Sequence, residues 1–261
     1  ILNFAKKNKK LFRTNLKIKL NEGSSLDIGQ KIWKRANAII LGGNSLFSKN
    51  PNLFLPNKWP TYFSKSKGCS VWDLNNKRYI DMSLMGVGTN ILGYCNNEVD
   101  NAVRKAVNKG NLSTLNCPEE VFLAEKLLNM HPWAGKVKFS RTGGEANAMA
   151  IRIARSASGK EKVAFCGYHG WHDWYLAANL KSKSNLNEHL MTGLDPAGVP
   201  SNLKNTSFAF KYNDIGELKK LVNKENIGVI KMEVARNTKP NITFLKEVRE
   251  LANKKNIVLI F

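Results

Sequence analysis

Apolar and polar positions change rhythm near Glu98. From there to Phe261, short apolar runs alternate with segments of helical period. "NEVDNAVRKAVNKG" reads as a helix that stops at Gly110, and "CPEEVFLAEKLLNMH" as another, with Pro118 suited to a first helical position and two carboxylates in its first turn. The run "KVKFS" predicts a strand over 136–140, and "KVAFCG" another over 162–167. Between them, "TGGEANAMAIRIAR" turns on two glycines into an alanine-rich helix. After a polar stretch over 178–205 come strand "FAFKY", helix "DIGELKKLVNKE", strand "IGVIKMEV", helix "TFLKEVRELANKKN" and strand "IVLIF". Such alternation specifies an α/β domain with a mostly parallel sheet. Ligands of such sheets bind beyond the carboxyl ends of the strands. The loops after Ser140, Gly167 and Val234 are therefore expected on one rim.

The first part of the chain has a different pattern. Residues 24–41 predict a helix stopped by Gly42 and Gly43. A loop with prolines at 51, 56 and 60 follows, and "CSVWDLNNKRYIDM" predicts a hairpin turning on Asn75-Asn76. Residues 1–97 are expected to be an arm, a helix and a hairpin of a smaller α+β domain. Residues 98–261 are expected to be the first part of a larger domain. An apolar strand at the last residues predicts that this domain continues past Phe261, and a first residue that is Ile rather than Met predicts a start further upstream.

Composition narrows the classes. With 261 residues and 43% hydrophobic, the chain can build a real core. No apolar run approaches the roughly 18 residues that a membrane span needs. The formal charge is +21, but the lysines are scattered and often sit beside asparagine, which describes a solvated surface rather than a nucleic-acid face. The densest basic stretch is the N-terminal arm, with seven basic residues and no acid before Glu22. It lacks the apolar core and cleavage site of a secretory signal and the Arg/Ser richness of a presequence. Cys69, Cys95, Cys117 and Cys166 form no CxxC pair and fit no zinc spacing. Reduced thiols in a cytoplasmic protein are the simplest account.

Three places carry chemistry. Thr142, Gly143 and Gly144 sit where a strand is expected to become a helix, and the first amides of a helix, its dipole and a near-bare backbone make an anion site. The same turn is also compatible with a plain strand-to-helix connection. "CGYHGWHDW" puts Tyr168, His169, Trp171, His172 and Trp174 directly after a strand. Aromatic rings there suit stacking on a planar ligand, the His-Asp cluster suits a metal without a third ligand set, and core packing is the bland alternative for the tryptophans. Glu233, with Asn237 four residues on, ends the next long strand.

The order of these pieces is more specific than any one of them. Strand–TGGEA–helix, then "YHGWHD", then E-x-x-x-N, then "KKNIVLIF", with "KGCSVWDLNNKRYIDM" and "ILGY" earlier, resembles the class III pyridoxal-phosphate aminotransferases, in particular glutamate-1-semialdehyde 2,1-aminomutase and its relatives. The resemblance runs from about Ser24 to Phe261. It implies a fold-type I transferase, pyridoxal 5′-phosphate as cofactor, a small amine or keto substrate, and a homodimer; it implies no nucleic-acid or membrane partner. Amino-group transfer, as an aminotransferase or a 2,1-aminomutase, is the implied activity; a non-catalytic phosphate-ligand or polyanion-binding protein on the same fold is the alternative. Thr142, Gly143 and Gly144 match the phosphate-binding segment, usually Ser-Gly-Thr. Tyr168 matches the ring that stacks on the pyridine, and His169 completes that motif. Glu233 opens the loop whose Asn237 lies near the phenolic oxygen. The family's pyridinium Asp and Schiff-base Lys are expected past Phe261, so no lysine within the chain takes that role.

The sequence also departs from the aminomutase pattern. Ser48 falls where the substrate-carboxylate Arg is expected, with Lys49 beside it lacking a planar fork. Val87 stands where a tryptophan is expected. Arg236 puts a bulky cation at the rim, either as a substrate contact or as a solvated loop residue. Ser48, Lys49 and Arg236 are the candidate substrate residues.

Overall fold

The computed structural model describes residues 27–261, apart from residues 84, 188, 190–193, 236 and 237 and the side chain of Phe47. Its contacts divide it into two compact units, Ile1–Cys117 and Pro118–Phe261.

Within the described part of the first unit, helix α1 (Ile28–Ile39) starts where Asp27 accepts a hydrogen bond from the Gln30 amide at 2.7 Å. Three strands follow in an antiparallel sheet of order β1-β2-β3: β1 (Phe63–Lys67), β2 (Ser70–Asp73) and β3 (Arg78–Ile80). The β2–β3 hairpin is the expected one. Asp73 Oδ1 accepts from the amides of Asn75 (2.8 Å) and Lys77 (2.9 Å), and Asn76 takes φ 63°, a conformation that asparagine tolerates well. Strand β1 adds to the expected hairpin; "FSKSK" alternates serine with lysine and carries no apolar signal. Helix α2 (Asn97–Lys109) is capped by Asn96 and ends at Gly110, φ 94°.

The second unit is an α/β sandwich. Helix α3 (Pro118–Met130) precedes α4 (Gly143–Ser158). The sheet then runs through β4 (Lys162–Cys166), β5 (Ser207–Ala209), β6 (Ile227–Met232) and β7 (Val258–Ile260), in order β5-β4-β6-β7 with every pair parallel. One-turn helix α5 (Asp173–Leu176), α6 (Ile215–Lys224) and α7 (Ile242–Lys255) complete it. The mostly parallel sheet flanked by helices is thus present as the alternating pattern specified.

Strand period two sorts the core. Val163 and Phe165 of β4 and Val229 of β6 face α4, where Ile151 and Ala154 meet them together with Trp174, Tyr175 and Leu186. Ala164, Cys166, Ile230 and Met232 face the other way, against Leu218 and Val222 of α6 and Phe244, Val248, Leu251 and Ala252 of α7. Each of these large buried side chains is worth about 1.5–3 kcal/mol relative to exposure.

The strand expected at 136–140 does not form. Its alternation specifies extended chain, but a strand also needs a ladder partner, and no described residue pairs with it. The expected "FAFKY" strand keeps its ladder only over Ser207–Ala209, closed by the Phe210 amide donating to Phe165 O at 3.0 Å.

Candidate functional site

The site is built on the N-terminus of α4. Thr142 is the N-cap; its hydroxyl accepts from the Glu145 amide at 3.2 Å, and the Glu145 carboxylate reaches back to the Arg141 amide at 2.9 Å. Ser140 fixes the approach by donating to Thr142 O at 3.0 Å. This reciprocal cap uses the third amide of the helix. The amides of Gly143 and Gly144, the first two, have no hydrogen-bond partner among the described residues. They are the orphan donors on which the positive end of the helix dipole rests.

The two glycines have different surroundings. A Cβ on Gly143 would meet nothing within 4 Å. A Cβ on Gly144 would strike the His172 ring at 2.8 Å. Gly170 takes φ 101°, and a Cβ there would lie 3.2 Å from Gly144 Cα. Gly144 is therefore the seat of the aromatic loop, while Gly143 is the open face where a ligand can approach the backbone.

That loop leaves β4 at Gly167, which takes φ 102°; a Cβ there would meet Glu233 Oε2 at 2.6 Å. The Gly167 amide donates to His189 Nδ1 at 3.2 Å, and its carbonyl accepts from Tyr175 OH at 3.1 Å. Asn147, one turn into α4, donates to His169 O at 3.1 Å and ties the loop to the helix. His169 is buried, with Nε2 2.9 Å from Cys166 O and its ring among Phe165, Trp174 and Tyr175. Its geometry is that of a side chain that holds the loop from beneath. Tyr168 stays half-buried, its ring at 84° to Tyr175 with centroids 6.0 Å apart. Trp171 is exposed and stacks on His172 at 5.1 Å.

Glu233 follows β6, and its amide donates to Cys166 O at 3.3 Å. The structure thus brings together Thr142, Gly143, Gly144, Tyr168, His169 and Glu233 at the carboxyl ends of β4 and β6. Asn237 and Arg236 lie outside the described residues. Ser48 and Lys49 belong to a short turn, Phe47–Lys49, of the first unit; Ser48 Oγ is sealed from solvent, and Lys49 is exposed. Cys166, the last residue of β4, has its thiol pushed up to about 12, first by burial and then by the carboxylates of Glu233 and Glu217. Among the described residues, no group of three or more His, Cys, Asp or Glu side chains is placed to hold a metal ion, and no helix is long and apolar enough to cross a membrane.

Gly167, Gly170 and His172 lie inside the quoted loop, but the close contacts that fix each of them were not legible from it. Asn147 and His189 carry no local signal, because their partners lie 22 residues away.

A parallel sheet with a capped, open helix N-terminus and an aromatic loop at one rim defines a class of α/β proteins whose rim can take an anionic ligand. Within that class, the family described as aminotransferase class-III matches residues 56–261, and the chain belongs to it. It is 32% identical over 254 residues to a 3-aminobutyryl-CoA aminotransferase of Cloacimonas acidaminovorans (strain Evry), covering 94% of this chain and 55% of that protein. It is 34% identical over 242 residues to a glutamate-1-semialdehyde 2,1-aminomutase of Sulfolobus acidocaldarius, covering 90% and 55%. The chain thus spans about half the length of these relatives. Among solved structures, an omega-transaminase from Sphaerobacter thermophilus matches with TM-score 0.75 at 22% identity, covering 92% of this chain and 55% of that one. A glutamate-1-semialdehyde aminomutase from Pseudomonas aeruginosa PAO1 matches at 0.69 and 20%, covering 89% and 51%. These two likenesses bear on the fold alone.

Proposed function

We propose that this chain forms the cofactor-gripping part of a pyridoxal 5′-phosphate enzyme that moves an amino group. The observation that carries the reading is the α4 N-terminus: two orphan amides, an open space over Gly143, and a half-buried tyrosine on the adjoining loop. That cradle fits a phosphate attached to a planar ring. The resemblance assigns Thr142, Gly143 and Gly144 to the phosphate, Tyr168 to the ring face and Asn237 to the neighbourhood of the phenolic oxygen, with Glu233 opening that loop.

When bound, pyridoxal phosphate supplies an electron sink for proton removal beside an amine. The chain's own residues grip and orient. The Gly143 and Gly144 amides would donate to the phosphate, and the Thr142 O–H would be a further donor while its oxygen keeps the cap. Tyr168 would cover one ring face and exclude water there. Asn147 and His169 keep that loop in place. No lysine of residues 1–261 is assigned the Schiff-base role; residues 1–261 alone are expected to bind without turning over.

Substrate selection is assigned to Ser48, Lys49 and Arg236. The two curated relatives differ in activity, an aminotransferase on one hand and an aminomutase on the other. The resemblance supports a homodimer, and four free thiols, Cys166 buried and the others exposed, suit the cytoplasm. The experiment that tests the activity gives the full-length protein an amino-aldehyde with no amino acceptor. Continuous isomerisation supports a mutase, arrest after one half-reaction supports a transaminase, and no reaction with the amino-aldehyde or with amino donors contradicts the reading.

A further inference from the structure

One charged side chain of the sheet has no part in the roles above. Lys231 lies one residue before the carboxyl end of β6, opposite Phe165 of β4 and Ile260 of β7 in the ladders. Strand period two puts it on the face of Val229, in the apolar layer with Phe165 and Ile151, against which Ala148, Tyr168 and Ile260 pack. This is the layer beneath α4, whose first turn is the phosphate cradle. The residue is only 5% exposed. Among the described residues its ammonium makes no hydrogen bond and joins none of the ion pairs. Glu233, two residues on and just past the strand, is the charge that acts on it; burial lowers its pKa, and Glu233 opposes that shift.

An ammonium in this layer is costly. Burial of a charge without close pairing opposes folding, and an apolar side chain of similar volume fills such a place more favourably. A charge kept at that cost directly under a ligand rim marks a working position. We propose that Lys231 is a ligand-binding residue of this site, its ammonium taking an anionic oxygen of the bound group from the strand side, opposite the amides of α4. The inference rests on the cofactor reading above. It adds a cation on β6 where that reading had only the α4 amides and the rim loops.

The test compares the full-length protein with its Lys231→Met variant, whose unbranched apolar side chain fills a similar volume. Two quantities are read: the thermal midpoint, and the Kd for pyridoxal 5′-phosphate and for unphosphorylated pyridoxal, from tryptophan fluorescence. The variant is expected to melt at the same or a higher temperature and to bind the phosphorylated ligand roughly tenfold or more weakly, the loss of one charge-assisted contact. Weakening confined to the phosphorylated ligand assigns the ammonium to phosphate, and equal weakening of both assigns it to a ring oxygen. A variant that melts lower or does not fold overturns the inference, because Lys231 is then structural. A stable variant with parental affinity for both ligands also overturns it and leaves the cofactor reading intact. A parent that binds neither ligand defeats both.

Discussion

Replacing Gly167 by alanine tests how the rim is assembled. The new Cβ meets Glu233 Oε2 at 2.6 Å, Cδ at 3.0 Å and Cγ at 3.1 Å, and the backbone must hold φ 102°. A non-glycine residue in such a conformation costs about 1–3 kcal/mol. Relieving the overlap costs about 1–3 kcal/mol more. Reduced freedom of the unfolded chain returns about 0.4–1 kcal/mol. The net loss is roughly 1–5 kcal/mol, a fall of roughly 3–15 °C in melting temperature for a chain of this size. Gly198→Ala is the control: Gly198 has φ 89°, but a Cβ there meets nothing within 4 Å, so it isolates backbone strain. Urea unfolding followed by circular dichroism on both variants gives the difference. Gly167→Ala should cost at least about 1 kcal/mol more than Gly198→Ala, and removing the Glu233 side chain in the Gly167→Ala background should recover that excess. Equal costs for the two glycine variants refute the packing of Glu233 on Gly167.

Gly144→Ala should displace the His172 ring, which its Cβ meets at 2.8 Å, and should cost about 1–3 kcal/mol, read as a lower urea midpoint together with altered tryptophan emission from the Trp171 stack. Iodoacetamide at pH 8 should label the exposed Cys69, Cys95 and Cys117 and spare buried Cys166, whose thiol is pushed up to about 12; peptide mapping counts the adducts. The same shift has a linkage consequence. The folded chain keeps this proton while the unfolded chain releases it near pH 8.5, so stability from this group is full below about pH 8.5 and falls as pH rises towards 12. A Cys166→Ala variant should show a shallower loss of stability across that window, measured by urea midpoints at successive pH values.

Much of this architecture is written locally. Asp27, Asn96, Thr142, Asp214 and Asn241 each cap the helix that follows, and each is a short polar residue directly before a helical run. The β4 and β6 runs are legible because burial on both faces leaves them almost continuously apolar, Lys162 at the start of β4 and Lys231 excepted. What failed locally was pairing. Lys136–Ser140 has a strand's alternation and no described partner, while β1 has a partner and no apolar signal. The anion cradle was legible only as a possibility, because Gly-Gly after a hydroxyl residue is equally a simple turn. The split between Gly143 and Gly144 was not legible, since it depends on where the His172 ring falls, 28 residues further along the chain. The burial of His169 was not legible for the same reason.

In the proposed site, the open space over Gly143 holds the phosphate of pyridoxal 5′-phosphate. Equilibrium dialysis of the full-length protein against that cofactor, beside its Gly143→Leu variant, tests it directly. A Cβ at Gly143 meets nothing within 4 Å and the longer side chain extends from it towards the open side, so the folded variant is first checked by its melting temperature, expected within about 0.5 kcal/mol of parental stability. The parent should bind saturably, and the variant roughly tenfold or more weakly. A parent that does not bind, or a folded variant that binds as the parent does, contradicts that placement.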